Sequence, residues 1–147
     1  MTLAEDCTFC KIISGKEPAA FHHEEKDFVV FENNLRWFST QLLFVPKLHM
    51  NQSNLWSSKN LMSEIGFLAN EMGQKRCPSG YRILSNFGED GMQSQEHAHL
   101  HLVGGSKLGL YVWGKPRKNP LLQSSENPRI SVLPSKCQNA IISCELY

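Results

Sequence analysis

The run Glu96-His97-Ala98-His99-Leu100-His101-Leu102-Val103 constrains the fold more than any other stretch of this 147-residue chain. Three histidines alternate with apolar residues. Side chains on a strand have a period of two, so His97, His99 and His101 point to one face while Ala98, Leu100 and Leu102 point to the other. The pattern predicts a strand over 95–103 with an apolar face in the core and an imidazole face directed at chemistry. Two chemistries use such a row. One is direct metal ligation by neutral imidazole. The other is nucleophilic attack at phosphorus, in which one ring attacks and its neighbours bind or protonate the oxygens.

The flanking sequence bears on that choice. Gly88, Gly91, Gln93 and Ser94 precede the histidine run, and a glycine-containing loop with an amide and a hydroxyl can donate several hydrogen bonds to a phosphate. There is no Gly-Lys-Ser/Thr of a P-loop and no dinucleotide glycine pattern, so phosphate would be held without Walker chemistry. Near the N-terminus, Cys7-Thr-Phe-Cys10 supplies two soft donors. That is two ligands short of a tetrahedral structural site, so the pair reads as half of a metal site or as a redox pair. Cys77, Cys137 and Cys144 show no pairing pattern and read as free thiols.

The rest of the chain reads as a small α+β domain. Residues 7–16 form a short helical turn that ends at Gly15, with Pro18 beyond. Phe28-Val-Val-Phe31 is a strand, 33–38 a connection, and 39–46 a second strand closed by Pro46. Leu61, Ile65, Leu68 and Met72 fall on one face of a helix over 58–75, with Lys75 and Arg76 near its C-terminal end. Residues 81–86 and 108–113 read as further strands. His22, His23, Glu24 and Glu25 read as a solvated loop. Four of the seven prolines lie in residues 115–147, which predicts a folded domain over 1–114 followed by an irregular tail.

Composition removes other classes. Hydrophobic residues make up 41% and the formal net charge is +1, which disfavours disorder and gives no broad electrostatic footprint for nucleic acid or anionic lipid. No apolar run approaches the roughly 18 residues of a membrane span, and the N-terminus lacks a secretory pattern. An odd number of cysteines, five, fits a reducing, cytoplasmic setting.

Several ordered motifs together resemble the histidine triad family. They are Cys7-Thr-Phe-Cys10-Lys-Ile-Ile-Ser-Gly, the Pro-Ala at 18–19, Phe44-Val-Pro-Lys-Leu-His49, Gly80-Tyr-Arg-Ile-Leu-Ser-Asn86, Gly-x-Gln-Ser94 and the histidine run. The resemblance spans about residues 7–113. It implies a five-stranded antiparallel sheet with one main helix and a short N-terminal helix, and a homodimer whose sheets join into ten strands. It implies a nucleotide hydrolase or transferase that cleaves at the α-phosphorus of a purine nucleoside phosphoramidate or related conjugate through a covalent nucleotidyl-histidine. His99 would be the nucleophile. His101 would bind a phosphate oxygen or assist the leaving group, Asn86, Gln93 and Ser94 would hold the phosphate, and Asn33 would face the ribose. Ser94, where one branch has threonine, points to the Hint-like phosphoramidase branch. A dinucleoside polyphosphate hydrolase and a non-catalytic nucleotide- or partner-binding dimer are the alternatives. The same resemblance implies a structural zinc ion on Cys7, Cys10, His49 and His97, which makes His97 a ligand and not a catalyst. The chain departs from the family pattern at Asn33 (commonly acidic), Gln41 (often histidine), Met92 (glycine) and Gln95-Glu96 (apolar-rich).

Overall fold

The structure is a computed structural model and describes residues 6–109. Its elements are α1 (Thr8–Ile13), β1 (Phe21–Glu24), β2 (Phe28–Glu32), β3 (Thr40–Pro46), α2 (Gln52–Ser57), α3 (Lys59–Arg76), β4 (Tyr81–Leu84) and β5 (Leu100–Gly104). The five strands form one antiparallel sheet in the order β1-β2-β3-β5-β4. This is the α+β architecture expected from the motif order.

Each face of the sheet carries its own apolar cluster. On one face, Phe28, Val30, Leu42, Phe44, Leu100 and Leu102 pack with Leu55 of α2 and Ile65 and Ala69 of α3. Leu61, Leu68 and Met72, the predicted apolar face of the helix, are partly buried against the same cluster. On the other face, Val29, Phe31, Leu43 and Val45 pack with Phe9 and Ile12 of α1. Strands covered on both faces read as unbroken apolar runs, and every residue of β3 is buried.

Two strand boundaries differ from expectation. The histidine strand is shorter than 95–103, because ladder pairing covers only Leu100–Gly104. Among the described residues the fifth strand of the sheet is β1, a stretch whose sequence predicts a loop. Phe21–Glu24 lies on the edge of the sheet with a mostly exposed burial pattern, so its sequence carries no apolar alternation and reads as a loop. Leu108 and Gly109 have no regular structure. Residues 110–113 and the tail expected over 115–147 lie outside the described residues. No helix among the described residues is long and apolar enough to cross a membrane.

Candidate active site and metal centre

Strand parity carries the histidines beyond the end of β5. Ala98, Leu100 and Leu102 are 0%, 2% and 0% exposed in the core facing α2 and α3. His99 and His101 therefore lie on the α1 face, with ring centroids 4.7 Å apart. Phe9 of α1 meets His99 edge-on at 5.1 Å.

Hydrogen bonding fixes the state of the His99 ring. Nδ1 lies 2.8 Å from the His97 carbonyl, and a carbonyl can only accept, so Nδ1 carries the proton and donates it. Nε2 then holds a lone pair, and no protein group among the described residues engages it. Burial pushes the His99 pKa down, opposed by the bond to the His97 carbonyl. The ring is therefore neutral near pH 7. His101 is also pushed down, to about 4, first by burial and then by the neighbouring His99. Its Nε2 is buried and has no hydrogen-bond partner among the described residues. A polar atom left this way costs about 1–3 kcal/mol, and a ligand atom in the adjoining cavity would satisfy it.

That cavity measures about 480 Å³, within the size range of small-molecule sites. Phe9, Ile12 and Leu43 form an apolar wall, while Asn33, Ser94, His99 and His101 supply polar groups. Asn33 is buried, and its Oδ1 accepts from the Leu35 N–H at 3.0 Å, so its amide NH₂ is the group left to offer. Gln41 is spent on the same loop, accepting from the Trp37 N–H at 2.9 Å. Gln93 braces the loop before the histidines. Its Oε1 accepts from the Gly88 N–H at 2.9 Å and its Nε2 donates to the Gln95 carbonyl at 2.9 Å. Neither Gln93 nor the half-buried Asn86 lines the cavity, whereas Gln95, noted in the sequence only as a departure from the family pattern, does.

Gln52 is the other residue the sequence did not reveal. Its buried side-chain amide donates to the His99 carbonyl at 2.7 Å and accepts from the His99 N–H at 2.9 Å. It lies 47 positions from His99, and nothing local in the sequence connects the two.

The four expected metal ligands converge. The donor atoms of Cys7, Cys10, His49 and His97 all lie within 4.8 Å of one another. Cys7 Sγ is 3.4 Å and Cys10 Sγ 3.5 Å from His97 Nδ1, and Cys10 Sγ is 3.3 Å from His49 Nδ1. A tetrahedral ion with ordinary sulfur and nitrogen bond lengths separates such ligand pairs by about 3.5 Å. His97 has a ligand's ring state as well. Its Nε2 donates to the Pro46 carbonyl at 2.9 Å, which aims the Nδ1 lone pair at the sulfurs. Burial lowers its pKa to about 4, so the ring is neutral, as ligation requires. The donor set fits a metal ion, and α1 with its N-cap Cys7 brings half of it.

Comparison with known proteins places the chain. Residues 6–111 match the family model described as scavenger mRNA decapping enzyme C-term binding. An uncharacterized HIT-like protein of Rickettsia prowazekii is 30% identical over 107 residues, covering 68% of this chain and 88% of the relative. The chain belongs to the histidine triad family. Within this family it is also similar to a HIT family hydrolase from Clostridium thermocellum, at TM-score 0.67 and 26% identity, covering 74% of this chain and 98% of that one. A Zn-bound histidine triad family protein from Mycobacterium smegmatis superposes at TM-score 0.61 with 26% identity, covering 71% of this chain and 80% of that one.

Proposed function

We propose that this histidine triad protein is a nucleotide hydrolase or transferase. It acts at the α-phosphorus of a purine nucleoside phosphoramidate or related conjugate. The observation that carries this reading is the His99 ring. Its Nδ1 proton is bonded to the His97 carbonyl, and neither its Nε2 nor the neighbouring Nε2 of His101 has a hydrogen-bond partner among the described residues. A neutral imidazole held this way is a nucleophile that needs no separate base.

In the first step the Nε2 lone pair of His99 bonds to phosphorus and the bond from phosphorus to the amine breaks. A phosphate anion seated against the two rings favours the protonated form of His101. That imidazolium gives its proton to the departing nitrogen, which leaves as a neutral amine. In the second step water attacks phosphorus, His101 takes the water's proton, and the bond from phosphorus to His99 breaks. Nucleoside monophosphate leaves and His99 regains its lone pair. Ser94 and the Asn33 amide offer hydrogen bonds to the phosphate and the ribose, Asn86 and Gln93 complete the phosphate end through the loop they belong to, and the Phe9–Ile12–Leu43 wall suits a purine. Ser94 supports the phosphoramidase branch.

On this reading Cys7, Cys10, His49 and His97 hold a structural zinc ion, whose chemistry is to cross-link α1 to the segments beside the histidines. The open edge strand β4 exposes Ile83 and Leu84, which supports a homodimer, to be read by sedimentation. Cys7 and Cys77, which form no disulfide among the described residues, support a cytoplasmic setting.

The deciding experiment incubates wild type and His99→Gly with an adenosine phosphoramidate that releases a fluorescent amine. Wild type turns over, and intact-mass analysis after rapid mixing finds a nucleoside monophosphate adduct. His99→Gly does neither. Turnover retained in His99→Gly defeats the reading, and so does a wild type that binds adenosine monophosphate without turning over.

A further inference from the structure

The residue that must be placed most accurately stands where the sheet no longer holds it. The β3–β5 ladder ends at the pair Phe44–Leu100, and the β4–β5 ladder ends at Leu84–His101. Neither neighbouring strand pairs with His99. A buried peptide group needs partners, and Gln52 supplies them from α2. Its amide repeats what a paired strand residue does, with one donor to the His99 carbonyl at 2.7 Å and one acceptor for the His99 N–H at 2.9 Å. Ser85 adds a second donor to the same carbonyl at 3.2 Å. One residue back, the Ala98 N–H donates to the Met50 carbonyl at 2.8 Å. Residues 50–52 thus act as a substitute strand for 98–99.

We infer that Gln52 is the positioning residue of the reaction, setting the place of the His99 imidazole through its main chain. The inference rests on the proposed function. Two bonds, one to each peptide unit flanking the His99 Cα, fix both its translation and its tilt. The ring's own anchor, the His97 carbonyl, belongs to the same short segment. Neither bond touches the cavity contents, because Gln52 does not line the cavity. Its contribution therefore falls on the chemical step and not on substrate affinity.

Gln52→Met keeps the size and removes both bonds. Misplacing a reacting atom by about 1 Å costs on the order of 10²-fold, so kcat falls by about that factor while KM changes by less than about threefold. Gln52→Glu keeps the acceptor for the His99 N–H and loses the amide donor. Its kcat falls between wild type and Gln52→Met, a partial rescue that graded loss of fold stability does not produce in kcat alone. Amide hydrogen exchange gives a reading independent of turnover. In wild type the His99 amide is protected. In Gln52→Met it exchanges at least tenfold faster, while the Leu100 and Leu102 amides keep their protection. If Gln52→Met fails to fold, Gln52→Glu carries the kinetic comparison. An unchanged kcat, a loss confined to KM, or undiminished protection of the His99 amide overturns the inference. A wild type without turnover overturns the proposed function instead, and the exchange at His99 then decides the role of Gln52.

Discussion

Replacing His101 by glutamine should make the protein less sensitive to acid. Burial, reinforced by His99, holds the folded-state pKa of His101 near 4, against the ordinary histidine value of 6.5 that applies to the unfolded chain. The folded pKa is the lower one, so between these values the unfolded chain binds the proton and the folded chain does not. Stability is intact above pH 6.5 and is lost as pH falls toward 4. By proton linkage, this single group removes about 2 kcal/mol between pH 7.5 and pH 5.0. Glutamine keeps a polar side chain and cannot titrate. Urea unfolding followed by circular dichroism at both pH values measures the difference. Wild type should lose about 2 kcal/mol more than His101→Gln over that interval, whatever the two lose in common. Equal losses in the two proteins would refute the reasoning, because His101 would then titrate alike in both states.

Three further outcomes follow from the packing. Cys10→Ser should lose bound metal by elemental analysis. It should also speed amide exchange through α1 and weaken binding of adenosine monophosphate, since a six-residue helix has no stability of its own and carries Phe9 and Ile12 of the cavity wall. Unchanged metal content would remove His49, His97 and the two cysteines as a site. Leu102→Ala empties a position that is 0% exposed between the sheet and α3 and should cost about 2–5 kcal/mol in urea unfolding. Met92 sits at φ 58 with its side chain 81% exposed. A left-handed conformation costs a non-glycine residue about 1–2 kcal/mol, part of it offset by the chain entropy of glycine, so Met92→Gly should raise stability by about 0.5–1 kcal/mol. A lowered urea midpoint would show that the side chain packs in solution.

The Met92 case shows how sequence and conformation inform each other. Methionine stands where the family pattern has glycine, and the backbone still adopts the glycine-type geometry. The loop path is thus set by its closing bonds, among them Met92 N–H to the Glu89 carbonyl and Gln93 N–H to the Gly88 carbonyl. Sequence reading failed where no local pattern exists. Phe21–Glu24 pairs with β2 at an exposed edge, so solvent on its surfaces erases the alternation that marks a buried strand. The alternation over 95–103 runs past the end of the ladder for the opposite reason. Residues 97–99 keep strand parity and alternation, but Gln52 and Met50 replace the ladder partners of 98–99.

What the one-dimensional chain determined was parity and donor chemistry. A period of two puts three imidazoles opposite Ala98, Leu100 and Leu102, a period of 3.6 gives α3 its apolar face, and Cys7 and Cys10 stand one helical turn apart. These are local properties of the backbone, and they hold wherever the segment is placed. Tertiary structure alone decided how the three rings divide their work. His97 turns to the cysteines and His49, His99 receives its tautomer from the His97 carbonyl and two main-chain bonds from Gln52, and His101 keeps one nitrogen without a partner among the described residues. Each of those assignments depends on groups about 40 to 90 positions apart or on a main-chain carbonyl. A carbonyl is the same in every residue, so only folding can give it a particular role.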